Sequence, residues 1–343
     1  MLSPNGSMAI WCEVPSSTHN SSLETHLNYW RVADQQRPGC TANEEDFLEV
    51  GLLITNPNSV SAINIFLPLV VSVQKVTDIG SKFSNRDIAQ GIFNESLTLT
   101  SPSSGNGWID LNLQGSTPLC RVHSFARAPN GLIDSSEMQV TQQDGGTLIC
   151  ITANAIAAST ISSSNQTRLY FRIRVLVGKK DNSPFVKVIK PADKNLQSGF
   201  DEIEYIDFRL NESRSLPDNV ERTIRRDAVR GTVPMSLVAF LAAVPVASEL
   251  SVSHTAIHKN RLLEHIPWTD YAPQPLPDGM MVYHWKKEEI DIASFTAFVK
   301  LQTRKAGSTT ITHYLVIAFL FGILGNLAAS GLEKLAGLMF GWH

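Results

Sequence analysis

The sequence predicts a mainly β protein: a cytosolic, β-sandwich-like body with minor helices, followed by one C-terminal transmembrane α-helix. Two observations carry this reading. Short runs rich in Val, Ile, Phe, Tyr and Thr recur over about 250 residues, separated by Pro, Asn, Gly and Ser turn signals, and no repeat of fixed period organises them. Near the C-terminus, 27 consecutive residues between Lys305 and Glu333 carry no Lys, Arg, Asp or Glu. The chain of 343 residues has a formal net charge of −3 with 18% charged residues, a balance of neither a generic nucleic-acid binder nor a disordered acidic chain.

Residues 1–44 are rich in Ser, Asn and Thr with weak apolar periodicity, and read as a loosely ordered leader despite Trp11 and Trp30. Residues 45–305 form the β-rich body, with a composition that allows a subdivision near residue 110. "DFLEVGLLITNP" and "AINIFLPLVVSVQKV" are strand runs separated by "NPNSVS". Ser84 and Asp87 make an S-x-x-D capping box ahead of "IAQGIF", which predicts a short helix. Further strands are expected at "GTLICITANAI", "RLYFRIRVLVG", "FVKVIK", "EYIDFRL", "MSLVAFLAAV", "MMVYHWKK" and "FTAFVKLQT". The uncharged stretch "GTVPMSLVAFLAAVPVAS", residues 231–248, is shorter than a membrane span and carries Pro234 and Pro245, so a strand buried on both faces fits it better.

In the C-terminal segment, residues 306–343, the strongly apolar part runs from Ile311 to Leu332. As a helix it covers roughly 33 Å, enough for a hydrocarbon core of about 30 Å. Lys300, Arg304 and Lys305 precede the span and only Lys334 follows it, which points to a single-pass inner-membrane protein with a cytoplasmic body. Ala318, Gly322, Gly325 and Ala329 form one small-residue stripe, with Asn326 and Glu333 beside it. Small residues let helices approach, and a membrane amide is satisfied by a neighbouring helix or by water, so a homo-oligomer with Asn326 and Glu333 facing a bundle axis is expected. An isolated anchor is the simpler alternative. After Glu333 either the helix continues to Trp342 or the last turn lies on the outer leaflet.

No Walker A sequence, G-x-S-x-G elbow, H-E-x-x-H or dinucleotide fingerprint occurs, so neither an enzyme nor a cofactor is expected. Cys12, Cys40, Cys120 and Cys150 lack redox or zinc spacing and read as reduced thiols. His254, His258 and His265 would share a helical face, but nothing completes a metal set and Pro267 limits the helix. Between Arg168 and Lys194, eight basic residues against Asp181 and Asp193 give a local +6. In a strand, Tyr170, Arg172 and Arg174 share one face while Phe171, Ile173 and Val175 face the core, with Lys179 and Lys180 at the turn. An aromatic beside arginines on an open sheet face can stack a base and hold phosphates, which suggests a nucleotide or single-stranded nucleic-acid ligand. A solvated face that discourages edge pairing is a second reading, and contact with lipid head groups or a regulatory protein partner a third. Arg225 and Arg226, with Arg222 and Arg230, read as a solvated helix or loop able to share a ligand groove with that hairpin.

The terminal span "YLVIAFLFGILGNLAASGL", the basic strand "YFRIRVLVGKK" and the lack of an enzyme motif give an architecture that resembles that of bacterial anti-phage membrane channel effectors of the Hailong type. The resemblance is one of topology and transfers no site residues. It implies a cytosolic domain that controls toxic membrane permeation, with single-stranded DNA as ligand. The expected function is therefore a non-enzymatic membrane effector that oligomerises through its C-terminal helix into a ligand-gated pore. A tail-anchored scaffold, or an exported or viral glycoprotein ectodomain, is the alternative. The glycoprotein would use five sequons, at Asn5, Asn20, Asn94, Asn165 and Asn211, and needs an export signal that the N-terminal residues do not display.

Overall fold

The computed structural model describes residues 6–15, 20–33, 44–101, 107–114, 117–160, 167–179, 183–189, 201–253, 256–263, 268–277, 279–304 and 308–341. In chain order the elements are β1 (Ala9–Glu13), β2 (Ser22–Trp30), β3 (Asp46–Thr55), β4 (Ala62–Leu67), β5 (Val76–Asp78), α1 (Arg86–Phe93), β6 (Leu97–Thr100), β7 (Trp108–Leu113), β8 (Pro118–His123), β9 (Met138–Gln143) and β10 (Gly146–Ile151). There follow α2 (Ala153–Thr160), β11 (Arg168–Gly178), β12 (Val186–Ile189), β13 (Asp201–Leu210), α3 (Asp218–Ala228), β14 (Met235–Pro245), β15 (Ser248–Ser253), β16 (Lys259–Leu262), α4 (Trp268–Tyr271), β17 (Met280–Glu288), β18 (Phe295–Arg304) and α5 (Ser308–Phe340).

The strands form three sheets. A ten-stranded sheet runs β16-β17-β14-β2-β3-β11-β8-β7-β6 with β5 alongside β11, and it is mixed, because β14 is parallel to β2 and β11 to β8. The other two have four strands each, β1-β4-β10-β9 and β12-β13-β18-β15. One buried cluster joins Ile65 of β4, Phe171 of β11, Phe240 of β14 and Phe208 of β13, so one face of the large sheet packs against both smaller sheets. Phe208 and Phe240 stack across that boundary with ring centroids 4.4 Å apart. The body is thus sandwich-like, held by side chains whose burial stabilises by about 1.5–3 kcal/mol each. The β9–β10 hairpin turns through Asp144 and Gly145, both at positive φ (50° and 75°), the conformation a two-residue primed turn requires.

Four sequence expectations change. Residues 1–44 do not form a loose leader over their described part: β1 pairs with β4, and β2 lies in the middle of the large sheet between β14 and β3. The weak periodicity has a physical cause, because Leu23, Thr25, Leu27 and Tyr29 point into the core while Glu24, His26 and Asn28 occupy a face that stays partly exposed. Residue 110 lies inside β7, paired to both β6 and β8, so no boundary falls there. "GTLICITANAI" is divided, since β10 ends at Ile151 and α2 begins at Ala153. The first helix is capped by Asn85, whose side-chain oxygen accepts from Asp87 N at 2.9 Å, while the Ser84 hydroxyl donates to Ser81 O. Residues 235–245 are the interior strand β14, as expected.

α5 continues unbroken past Glu333 and Lys334 to Phe340. Within it, Tyr314–Ala336 is long and apolar enough to cross a membrane, and none of that stretch is buried against the body. Phe319, Leu320, Phe321, Leu324 and Leu327 are all more than half exposed. Trp342 lies outside the described residues.

Candidate functional site

The face of the large sheet turned away from the two small sheets carries the polar side chains, and strand register sets their neighbours. One row across the strands reads Arg172, Gly51, His26, Ala239 and Lys286. The next reads Arg174, Glu49, Asn28, Leu241, His284 and Lys259. A third reads Phe47, Trp30, Ala243, Val282 and Arg261. α1 and α4 cover parts of this face.

Period two puts Tyr170, Arg172 and Arg174 on one face as expected, but that face is closed. The three are 0%, 0% and 4% exposed. Arg172 Nη2 donates to Glu49 Oε2 at 2.7 Å, its Nε to Tyr271 Oη at 3.0 Å and its Nη1 to Tyr170 Oη at 2.8 Å. Arg174 donates to Glu49 Oε1 from Nη2 at 2.7 Å and to the Tyr271 carbonyl at 2.8 Å. Burial alone would raise the Glu49 carboxyl, but Arg174 and Arg172 outweigh it and hold it below the usual carboxylate range. Tyr170 Oη reaches Arg172 over Gly51, where a Cβ would lie 2.1 Å from that oxygen. The Tyr170, Arg172 and Arg174 stripe is therefore a buried ion-pair cluster and not an open platform for stacking a base. The adjacent carboxylate of Glu49, on β3 and 123 residues away in sequence from Arg172, was the partner that period-two reading of one strand left out.

Beside this cluster the same face opens into a groove of about 570 Å³. Its floor is small or apolar, with Ala239, Ala243, Leu241 and Val282, and α1 contributes Phe93 to its wall. Among the charged lining residues that are described, Arg168, Arg172, Lys259, Arg261 and Lys286 are basic and Glu24 and Glu95 acidic. Arg168 pairs with Glu24, and Lys286 with Glu288 at 2.7 Å, while Lys259 and Arg261 stand on β16 at the far edge of the groove. Two imidazoles respond to that environment. Burial pushes His26 down to about 3, helped by Arg172 and Arg168, and burial with His258 and Lys259 pushes His284 down to about 4. Both are neutral at pH 7.

The hydrogen-bond inventory singles out the same place. Among the described residues, three buried side-chain nitrogen or oxygen atoms have no partner: Trp30 Nε1, Trp268 Nε1 and His284 Nε2. All three residues line the groove. Trp30 and Trp268 are 3% and 7% exposed, with ring centroids 5.9 Å apart. An unpaired buried donor costs about 1–3 kcal/mol, so such atoms are rare unless something else satisfies them.

Of the remaining candidates, His258 lines the groove, while α3, Lys179 and the Ser159, His123 and Glu137 group lie apart from it. Arg225 pairs with Glu221 at 2.6 Å and Arg226 with Asp227 at 3.1 Å on α3, which packs on β1 and not on β11, so these arginines do not share a groove with β11; nor does β11 form the expected hairpin, because β12 lies in another sheet beside β13. Lys179 follows β11 and its carbonyl accepts from Ser183 N, while Lys180 lies outside the described residues. His258 packs edge-on against His284 at 5.2 Å, and His254 and His265 lie outside the described residues. No described group of His, Cys, Asp or Glu is arranged to hold a metal. Ser159 Oγ, His123 and Glu137 form a relay, with Oγ to Nδ1 at 2.6 Å and Nε2 to Oε2 at 3.0 Å, but Ser159 and His123 are each 2% exposed and the relay ties α2 to the turn before β9. Cys12, Cys120 and Cys150 are free thiols. The sequon residue Asn211 uses its amide internally, accepting from Ile10 N at 2.8 Å and donating to Ile10 O at 3.1 Å.

The groove residues His26, Asn28, Trp30, Lys259, Arg261, His284 and Lys286 come from strands far apart in sequence, and only register aligns them. A local signal existed for the β2 members alone: in "SLETHLNYW" Glu24, His26 and Asn28 alternate with Leu23, Leu27 and Tyr29, a pattern that Thr25 weakens. The chain matches no known protein family and no characterised protein.

Proposed function

We propose that this protein is a non-enzymatic membrane effector: α5 spans the membrane, associates with α5 of further copies into a conducting assembly, and the cytoplasmic β-rich body controls that assembly through an anionic ligand. The observation that carries the reading is the state of α5. Its apolar surface is bare all round, and a Cβ added at Gly322 or Gly325 would meet no atom within 4 Å. Bare apolar surface of this extent demands lipid or protein cover. Nothing among the described residues of one copy calls for glycine at those positions, whereas a neighbouring helix packed on the stripe of Ala318, Gly322, Gly325 and Ala329 does, and it also gives Asn326 a hydrogen-bond partner. Glu333 extends the same side toward the far interface. The basic residues Lys259, Arg261 and Lys286 along the groove support the anionic ligand.

The test is membrane potential, read with a voltage-sensitive dye in bacteria expressing the full chain, Gly322→Leu or Asn326→Leu. Depolarisation by the full chain that both variants abolish, at equal membrane insertion, supports the pore. Depolarisation unchanged in both variants, or absent for all three at every expression level, leaves a tail-anchored scaffold.

A further inference from the structure

We infer that the groove on the large sheet binds a mononucleotide: its heteroaromatic part lies on the Trp30–Trp268 side, and its phosphate at His284, Lys259 and Lys286. The inference rests on the reading of the body as the anion-responsive part, and it moves the site from the β11 arginines to the groove beside them.

The chemistry of the ligand follows from what the groove offers. At one end are two indole N–H groups, Trp30 Nε1 and Trp268 Nε1, both at least nine-tenths buried and both without an acceptor among the described residues. Indoles donate only, so the ligand presents acceptors there. The surrounding floor of Ala243 and Val282 is apolar, which suits a flat ring. Trp30 is already stacked on Phe47, with ring centroids 5.4 Å apart and planes 18° apart, so its N–H edge is held in place before any ligand arrives. One pair of residues from that row, about 7 Å along the strands, stand His284 and Lys259, two and three strands across from Trp30 (roughly 10 and 14 Å), with Lys286, which pairs with Glu288, a further pair along. The unpartnered Nε2 of the neutral His284 ring lies at the same end.

Simpler ligands leave part of this unanswered. An inorganic anion answers the basic end and leaves both buried indoles unpaired. An aliphatic amphiphile covers the floor and brings no acceptor to the indoles. A nucleobase has ring-edge acceptors in a planar apolar body, and the phosphate on its sugar supplies the charge. The groove, at about 570 Å³, falls in the range of sites that enclose one small organic ligand.

Calorimetry on the detergent-solubilised full chain tests this, using the 5′-monophosphates of adenosine, guanosine, cytidine and uridine beside ribose 5-phosphate, the unphosphorylated nucleosides and inorganic phosphate. At least one nucleoside monophosphate should bind tenfold or more tightly than ribose 5-phosphate and than its own nucleoside. Trp268→Phe, which keeps a ring and removes the N–H, should weaken it about fivefold, and Trp30→Phe serves as the second variant if Trp268→Phe melts early. Lys259→Gln with Lys286→Gln should weaken it further and flatten its salt dependence. Ribose 5-phosphate or phosphate binding as tightly as the nucleotide, Trp→Phe variants with unchanged affinity, or no heat with any of the four, each overturns the inference. Because binding is read in detergent without conduction, a chain that binds but fails to depolarise cells sinks the pore reading alone, and the reverse result sinks only this one.

Discussion

Two sets of basic side chains share one face of the ten-stranded sheet, and they are solvated in opposite ways. Arg172 and Arg174 of β11 are sealed under α4 and matched to Glu49, Tyr170 and Tyr271 at 2.7–3.0 Å. Lys259, Arg261 and Lys286, a few strands away, rim a groove in which three buried nitrogens lack partners and two histidines are kept neutral. A buried arginine survives only when its donors are satisfied, so a complete set of partners marks a structural cluster, and an incomplete one is what the proposed ligand would complete. Basic residue count, the signal available in one strand, does not separate the two.

The largest effect expected from breaking this comparison is at Glu49. Glu49→Gln leaves two buried guanidinium groups without their carboxylate, and should lower unfolding free energy by about 3–5 kcal/mol in denaturant melts of the full chain. A loss below 1 kcal/mol would mean the cluster is hydrated. Gly51→Ala comes next. The added methyl meets Tyr170 Oη, which is itself held by Arg172, so a cost of about 1–3 kcal/mol is expected.

A smaller effect separates the groove by pH. A histidine titrates near 6.5 in the unfolded chain, and in the fold His26 titrates near 3 and His284 near 4. Between those values the unfolded state binds more protons, so these two groups make stability fall as pH drops from about 6.5 toward 4. His26→Asn removes one of them, and its stability should decline less steeply than wild type over that window; equal slopes would show that His26 is solvated. The smallest effect is on stability at the rim: Lys259→Gln with Lys286→Gln should change unfolding free energy by no more than about 0.5 kcal/mol, since exposed charges contribute little.

Much of the fold was legible because its strands are strongly patterned. β3, β11, β14, β17 and β18 announce themselves by β-branched and aromatic runs, and α5 by its freedom from charge. β2 was hidden because one of its faces is the polar face of the groove, and alternation of Glu24, His26 and Asn28 with apolar residues looks like loop composition when averaged. The short strands β6 to β9 lie in Ser-, Gly- and Gln-rich sequence and owe their existence to pairing rather than propensity. For the site, period two correctly grouped Tyr170, Arg172 and Arg174, yet whether that group faces water depends on Glu49 and Tyr271. Their approach is tertiary information. The same holds for Trp30 and Trp268, which meet only once β2 and α4 are folded.

The measurement that tests the account most directly is membrane potential in cells expressing the full chain or its Lys259→Gln, Lys286→Gln double variant, with inserted protein matched by immunoblot. If the groove governs the helices, depolarisation should change at least severalfold in the variant although its melting behaviour is unaltered. Identical dye responses at equal insertion would contradict the account and leave the groove and α5 as independent features of one chain.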